Sequence, residues 1–269
     1  MATYVFSDVH GHLVPLLRAL DDASPASDDP IYVLGDMVDR GPDSVGVLKL
    51  CRSIEGATVL MGNHEQMMLD CLTGGGEGMD EDLAWYNWAI NGGQETAAGL
   101  AELDEEELDE LIGWVASLPL HARCRVRGRD YLLVHAGIRP GAVPAQVPEG
   151  ADPLDALLAA QSDEDLRWIR EEFWGRPTGL VDGRGEGPVV VAGHTPTLVV
   201  ERLADRCDRG ALYGGLLRMV SLGACEATGG VADRLAIDCG AGSAPGSGRV
   251  MVLRLDDGEQ FYQMIKPGE

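Results

Sequence analysis

Five times along the chain a strand-length run of apolar residues stops abruptly at an Asp, Asn or His with a glycine close by: TYVFSDVHG, IYVLGD, ATVLMGN, YLLVHAG and VVVAGHT. That recurrence constrains the fold more than any other feature. Short apolar runs of this kind are buried strands, and polar groups at the ends of successive strands collect on one sheet edge, where open α/β sheets bind ligands. Helix-like LVPLLRALDDA and SVGVLKLCRSI separate the first three runs, which is the β-α-β-α-β rhythm of a layered α/β fold. Farther on, ARCRV and YLLVH read as strands, DEDLRWIREEFW as one amphipathic helix, and LRMVSLG, RLAIDCG and RVMVLRL as further strands of a second sheet joined by glycine-rich turns. The expectation is one domain over residues 1–269, two packed sheets flanked by helices, with a helical insertion or cap at about 66–120 broken at GGGEG.

The polar loops are Asp8-Val9-His10, Gly35-Asp36-Met37-Val38-Asp39-Arg40-Gly41, Gly62-Asn63-His64-Glu65, His135-Ala136-Gly137 and Gly193-His194-Thr195. Any one of them alone is an ordinary turn or helix cap. Together they hold four of the six histidines, and their mixture of carboxylate, amide and imidazole is what two divalent ions about 3.5–4 Å apart require. A closed structural zinc site would draw on cysteine instead. Cys51, Cys71, Cys124, Cys207, Cys225 and Cys239 lie outside these loops, without a C-x-x-C pair or a disulfide framework, and read as reduced thiols.

The segments SDVHG, GDMVDRGPDS, GNHE, NGGQET, HAGIRPG, WIREEF and GHTP resemble the calcineurin-like metallophosphoesterase superfamily, and within it the serine/threonine phosphoprotein phosphatase type, particularly its small bacterial members. The resemblance spans essentially the whole chain and implies a four-layer α-β-β-α sandwich of two mixed sheets. It assigns Asp8 and His10 to one metal ion, Asn63, His135 and His194 to the other, and Asp36 to both as a bridge. By the same resemblance His64 is the general acid, Asp39 its partner, and Arg40, Arg170 and Asn63 face the substrate phosphate. The implied cofactor is a pair of divalent ions, manganese foremost, with iron or zinc as alternatives. Where many superfamily members place a second histidine in the last motif, this chain has Pro196, a departure expected of the phosphoprotein-phosphatase branch.

The expected function is therefore phosphomonoester hydrolysis of the protein-phosphatase kind by a water activated between two ions. A diadenosine tetraphosphatase-like hydrolase of dinucleoside polyphosphates is the alternative enzyme, opposed by Asp39 where such enzymes usually carry a small residue. A catalytically inert metal-binding scaffold is the alternative from another class, opposed by the filled ligand positions. The formal charge of −23, from 44 acidic against 21 basic residues, excludes nucleic acid as a general partner. No stretch is long and apolar enough to span a membrane, so a cytoplasmic protein acting on a phosphorylated protein or small phosphoester is expected. Specificity is expected in residues 66–120, 138–153 and 176–187. His12, His121, Trp85, Trp88 and Trp114 read as structural, and Asp238 as either a support for the site or a turn residue.

Overall fold

In strand β1 (Tyr4–Phe6) Val5 packs into one hydrophobic cluster, Tyr4 and Phe6 into another, and all three are buried. Side chains alternate across a strand, so a strand buried on both faces needs a layer on each side. The same alternation runs through the strands around it. Val5, Leu34, Leu60, Met251 and Leu253 join the cluster shared with a second sheet. Phe6, Ile31, Val33, Val250 and Val252 pack instead with Leu16 and Ala19 of helix α1 (Leu13–Ala23) and Val47, Leu48 and Cys51 of α2 (Ser44–Ser53). The computed structural model describes residues 1–74, 80–141, 150, 152–204, 206–243 and 246–269.

The first sheet has the order β12 (Glu259–Met264), β11 (Arg249–Arg254), β1, β2 (Ile31–Val33), β3 (Thr58–Val59). Strands β1, β2 and β3 are parallel, while β11 and β12 run antiparallel at the other edge. The second sheet has the order β4 (His121–Val126), β5 (Arg129–Val134), β6 (Val189–Ala192), β10 (Arg234–Ala236), β9 (Val220–Leu222), with β5, β6 and β10 parallel. A small ribbon, β7 (Leu212–Tyr213) with β8 (Leu216–Leu217), stands apart. Two mixed five-stranded sheets flanked by helices are the expected architecture.

Two local expectations are corrected. RVMVLRL does not enter the second sheet: as β11 it pairs with β1 in the register Val5↔Leu253 and Phe6↔Val252, which puts Leu253 on the inner face and Val252 on the helix face. DEDLRWIREEFW is broken into α8 (Asp163–Trp168) and α9 (Glu171–Trp174). The cause is a competing donor. Ala136 N–H bonds the Leu166 carbonyl at 2.9 Å, the acceptor that the Arg170 amide would use in a continuous helix.

Helices α3 (Asn63–Leu72), α4 (Glu81–Ile90), α5 (Gln94–Leu100) and α6 (Glu105–Ala116) follow one another along the stretch expected to be helical, and residues 75–78 of the expected break at GGGEG lie outside the described residues. Met68, Trp88, Leu100, Leu111 and Val115 from these helices pack into the same cluster as α1 and α2. Helices α7 (Pro153–Ala159), α8, α9 and α10 (Thr197–Leu203) send Leu157, Leu166, Phe173, Trp174 and Val200 into the cluster that includes the second sheet. The consequence for function lies at the carboxyl ends of the six parallel strands, from which come Asp8, Asp36, Asn63, His135, His194 and Asp238.

Candidate active site

The strand-end loops hold their backbone in a conformation that L-residues rarely adopt. Among the described residues eight non-glycine positions have positive φ, and six are in this site: Asp8, His10, Asp36, Asp39, Arg40 and His194, with φ between 47° and 74°. Such strain persists only where the surroundings over-determine it. Part of that determination is loop-to-loop backbone pairing: His10 N–H to Asp36 O at 3.0 Å, Gly11 N–H to Met37 O at 2.8 Å and Gly41 N–H to His10 O at 2.9 Å. The rest comes from Glu65, which sequence reasoning missed. Its fully buried carboxylate accepts N–H bonds from Asp36 at 2.8 Å, Met37 at 2.7 Å and Gly62 at 2.8 Å, tying the second loop to the third.

Two groups of ligand-type atoms converge, one of His10, Asp36 and His64 and one of Asp36, His135 and His194. His10 Nδ1 lies 3.0 Å from the Val38 carbonyl, and His135 Nδ1 2.7 Å from the Leu34 carbonyl. A carbonyl only accepts, so each Nδ1 carries the proton and each Nε2 presents a lone pair. His10 Nε2 accepts from Arg40 Nη1 at 3.3 Å and lies 3.7 Å from Asp36 Oδ2, while His135 Nε2 is 3.3 Å from Asp36 Oδ1 and 2.9 Å from Asn63 Oδ1. His194 Nδ1 is 2.8 Å from the same Asn63 oxygen. Burial pushes the His10 and His194 rings well below the ordinary imidazole range and His135 down to about 3, so they are neutral donors of electron pairs.

Burial likewise lifts the carboxyls of Asp8 and Asp36 well above the carboxylate range, aided by the charge of Asp238 on the first and of Asp8 on the second. Lone pairs opposed to buried carboxylates fit a divalent cation between them, and imidazole nitrogen with carboxylate and amide oxygen is a manganese, iron or zinc donor set. Asp36 offers one oxygen to each group. Asp8 stands outside both: its carboxylate accepts the His194 N–H at 2.9 and 3.0 Å and the Ser7 hydroxyl.

Within the first group, His64 Nδ1 lies 2.6 Å from Asp39 Oδ2. Asp39 is fully buried and is held by the Trp88 indole N–H at 2.9 and 3.1 Å and the Thr96 hydroxyl at 2.8 Å. Trp88, read as structural, is fully buried and holds Asp39 from the core. Burial lowers the His64 ring, against the upward pull of Asp39. Arg40 donates from Nη2 to His64 Nε2 at 2.9 Å. The cavity, about 290 Å³, is lined by His10, Asp36, Asn63, His64 and His194, with Arg40, Trp168 and Arg170 exposed beside them. The break between α8 and α9 brings Arg170 to this cavity. Asp238 lines it too, and burial lifts its carboxyl to about 6. His12 instead bonds the Glu269 carbonyl at 2.6 Å, away from both groups.

Residues 1–215 match the calcineurin-like phosphoesterase family. The chain belongs to that family. This calcineurin-like phosphoesterase is 29% identical to the symmetrical bis(5'-nucleosyl)-tetraphosphatase of Paracidovorax citrulli (strain AAC00-1), across 91% of this chain and 100% of that protein. It is 32% identical to the protein of the same name from Dechloromonas aromatica (strain RCB), over 68% of this chain and 59% of that one. In fold it is similar to a serine/threonine phosphatase from Saccharomyces cerevisiae with similarity to human phosphatase PP5, with a TM-score of 0.53 and 16% identity, over 99% of this chain and 81% of that structure. It is a metal-dependent phosphoesterase, which removes the inert scaffold from consideration. Both of these relatives carry the name of the alternative enzyme, not of a phosphoprotein phosphatase. No helix among the described residues is long and apolar enough to cross a membrane.

Proposed function

We propose that this phosphoesterase hydrolyses dinucleoside polyphosphates, releasing a nucleoside diphosphate as leaving group from a symmetrical tetraphosphate. The observation that carries this reading is the similarity over the full length of the Paracidovorax citrulli tetraphosphatase. In the proposed centre Asp8, His10 and Asp36 hold a first divalent ion, and Asp36, Asn63, His135 and His194 a second, with manganese the preferred metal. When bound, the ions supply Lewis-acid polarisation and lower the pKa of water. The protein's own residues do the rest. Arg40 and Arg170 present guanidinium donors to phosphoryl oxygens, a geometry that favours the charge-rich transition state. Asn63, with its oxygen turned to the imidazoles, keeps an amide N–H for the phosphate.

Substrate oxygens draw Arg40 off His64 Nε2, which frees that nitrogen to carry a proton to the departing oxygen while Asp39 stabilises the charged ring. A nucleoside diphosphate departs as a stabilised anion and demands little of that proton. Space for a long substrate continues past the site: a depression of about 680 Å³ shares Arg40, Gly242 and Ser243 with the cavity.

A second reading, hydrolysis of phosphorylated serine or threonine in proteins, is favoured by the tight His64–Asp39 pair, because an alkoxide leaving group needs an acid. Both are tested by supplying manganese-loaded protein with diadenosine tetraphosphate or with a phosphopeptide. ADP as the nucleotide product, with kcat/KM at least tenfold above that for the peptide, supports the first reading. Phosphate release from the peptide alone replaces it with the second.

A further inference from the structure

We propose that Asp238 is a direct ligand of the first metal ion, an inference that rests on the two-ion reading of the centre. Strand β10 lies parallel beside β6, so its carboxyl end opens on the same edge as the His194 loop. Thr197 N–H donates to the Asp238 carbonyl at 3.0 Å, which sets Asp238 against the turn where Pro196 offers no ligand atom. The loop that follows Asp238 packs onto the first-ion imidazole. A Cβ on Gly242 would meet His10 Cγ at 2.6 Å and Nε2 at 2.9 Å, so that loop and His10 are in direct contact.

Asp238 is 4% exposed, and its side chain lines the cavity together with His10 and Asp36. One oxygen, Oδ1, accepts the Gly240 N–H at 2.7 Å, and among the described residues the carboxylate makes no direct ion pair with an arginine, lysine or histidine. The guanidinium charges of Arg40 and Arg170 act on it only across the cavity, and a buried carboxylate without a direct ion pair is costly unless a cation meets it. On this chain the first ion otherwise draws on Asp8, whose carboxylate is already engaged by the His194 amide and the Ser7 hydroxyl, and on His10 and Asp36. A third carboxylate at that position gives a hard divalent ion the oxygen donor it favours.

The bond to Gly240 alone would make Asp238 a turn residue, a role that asparagine fills equally well. Asp238→Asn therefore separates the two. Metal-stripped protein is titrated with manganese and the free ion is read by its paramagnetic resonance signal, with His135→Ala as a reference that loses the second ion. The wild-type chain is expected to take up two ions, and Asp238→Asn to keep one and weaken the other by more than about tenfold. Two ions bound by the variant with wild-type affinities overturn the proposal. A wild-type chain that takes up no second ion overturns it through the two-ion reading itself, which the reference identifies. Should Asp238→Asn not fold, Asp238→Ser keeps an acceptor for the Gly240 N–H and undergoes the same titration, with the same two outcomes.

Discussion

Replacing Trp88 with Phe removes the indole N–H, and with it part of a fully buried ring, from the floor of the site. In the wild-type chain that indole donates to both oxygens of Asp39, at 2.9 and 3.1 Å, in a fully buried position. A hydrogen bond to a charged group contributes about 1.5–3 kcal/mol. With the donor gone, the Asp39 carboxylate keeps Thr96 and His64, and more of its charge acts on the His64 ring. One pKa unit is about 1.4 kcal/mol, so transfer of half or more of the lost bond moves the His64 midpoint by about one unit. The sign is upward, because an opposite charge favours the protonated imidazole and burial, which holds this ring below its ordinary value, is eased by the smaller side chain. The assay is NMR titration of His64 in metal-stripped protein, alongside urea unfolding. An upward shift of about one unit with a stability loss of about 2 kcal/mol is expected. An unmoved or lowered midpoint in a folded variant refutes the claim that Trp88 tunes the pair through Asp39.

Glu65→Ala leaves four buried backbone N–H groups, those of Asp36, Met37, Val38 and Gly62, without an acceptor, at about 1–3 kcal/mol each, against a total stability of about 5–15 kcal/mol. Urea unfolding should therefore show a loss above about 3 kcal/mol or no folded state, and a loss under about 1 kcal/mol would mean that the loops hold their strained backbone without it. Gly62→Ala forces a Cβ against Asp36 Oδ1, so manganese affinity should fall by more than about tenfold while α3 stays intact by circular dichroism. In metal-stripped protein the neutral, buried His135 ring favours the folded state fully above about pH 6.5 and loses that contribution as pH falls toward about 3. The stability gap between wild type and His135→Gln should accordingly shrink on acidification from pH 7 to pH 4, and a widening gap would contradict the linkage.

The strands and the loops that end them were legible in the sequence because each depends on a contiguous pattern. An apolar run predicts a buried strand whatever its partner, and for the same reason the run RVMVLRL could not reveal that its partner is β1, 248 residues earlier in the register Val5↔Leu253. The break inside DEDLRWIREEFW was hidden likewise, since its amphipathic period is intact and the competing donor, Ala136, belongs to another strand's loop. The residues missed at the site share that property. Trp88 and Thr96 reach Asp39 from 49 and 57 positions away, and Glu65 reaches Asp36 across 29. A spacing argument sees ligands on their own loops. It does not see the side chains that arrive from elsewhere to hold those loops still.

The six positive-φ residues carry an implication for how such a chain can change. At each of these positions the backbone would rest more easily on glycine or asparagine, by about 1–2 kcal/mol for a left-handed residue, yet Asp8, His10, Asp36, Asp39, Arg40 and His194 stand there. A lineage selected for durability alone would drift toward glycine in these loops and become harder to unfold as it lost its chemistry. The same six positions are therefore where a stability-guided redesign of this enzyme would first propose changes, and where it should be forbidden to make them.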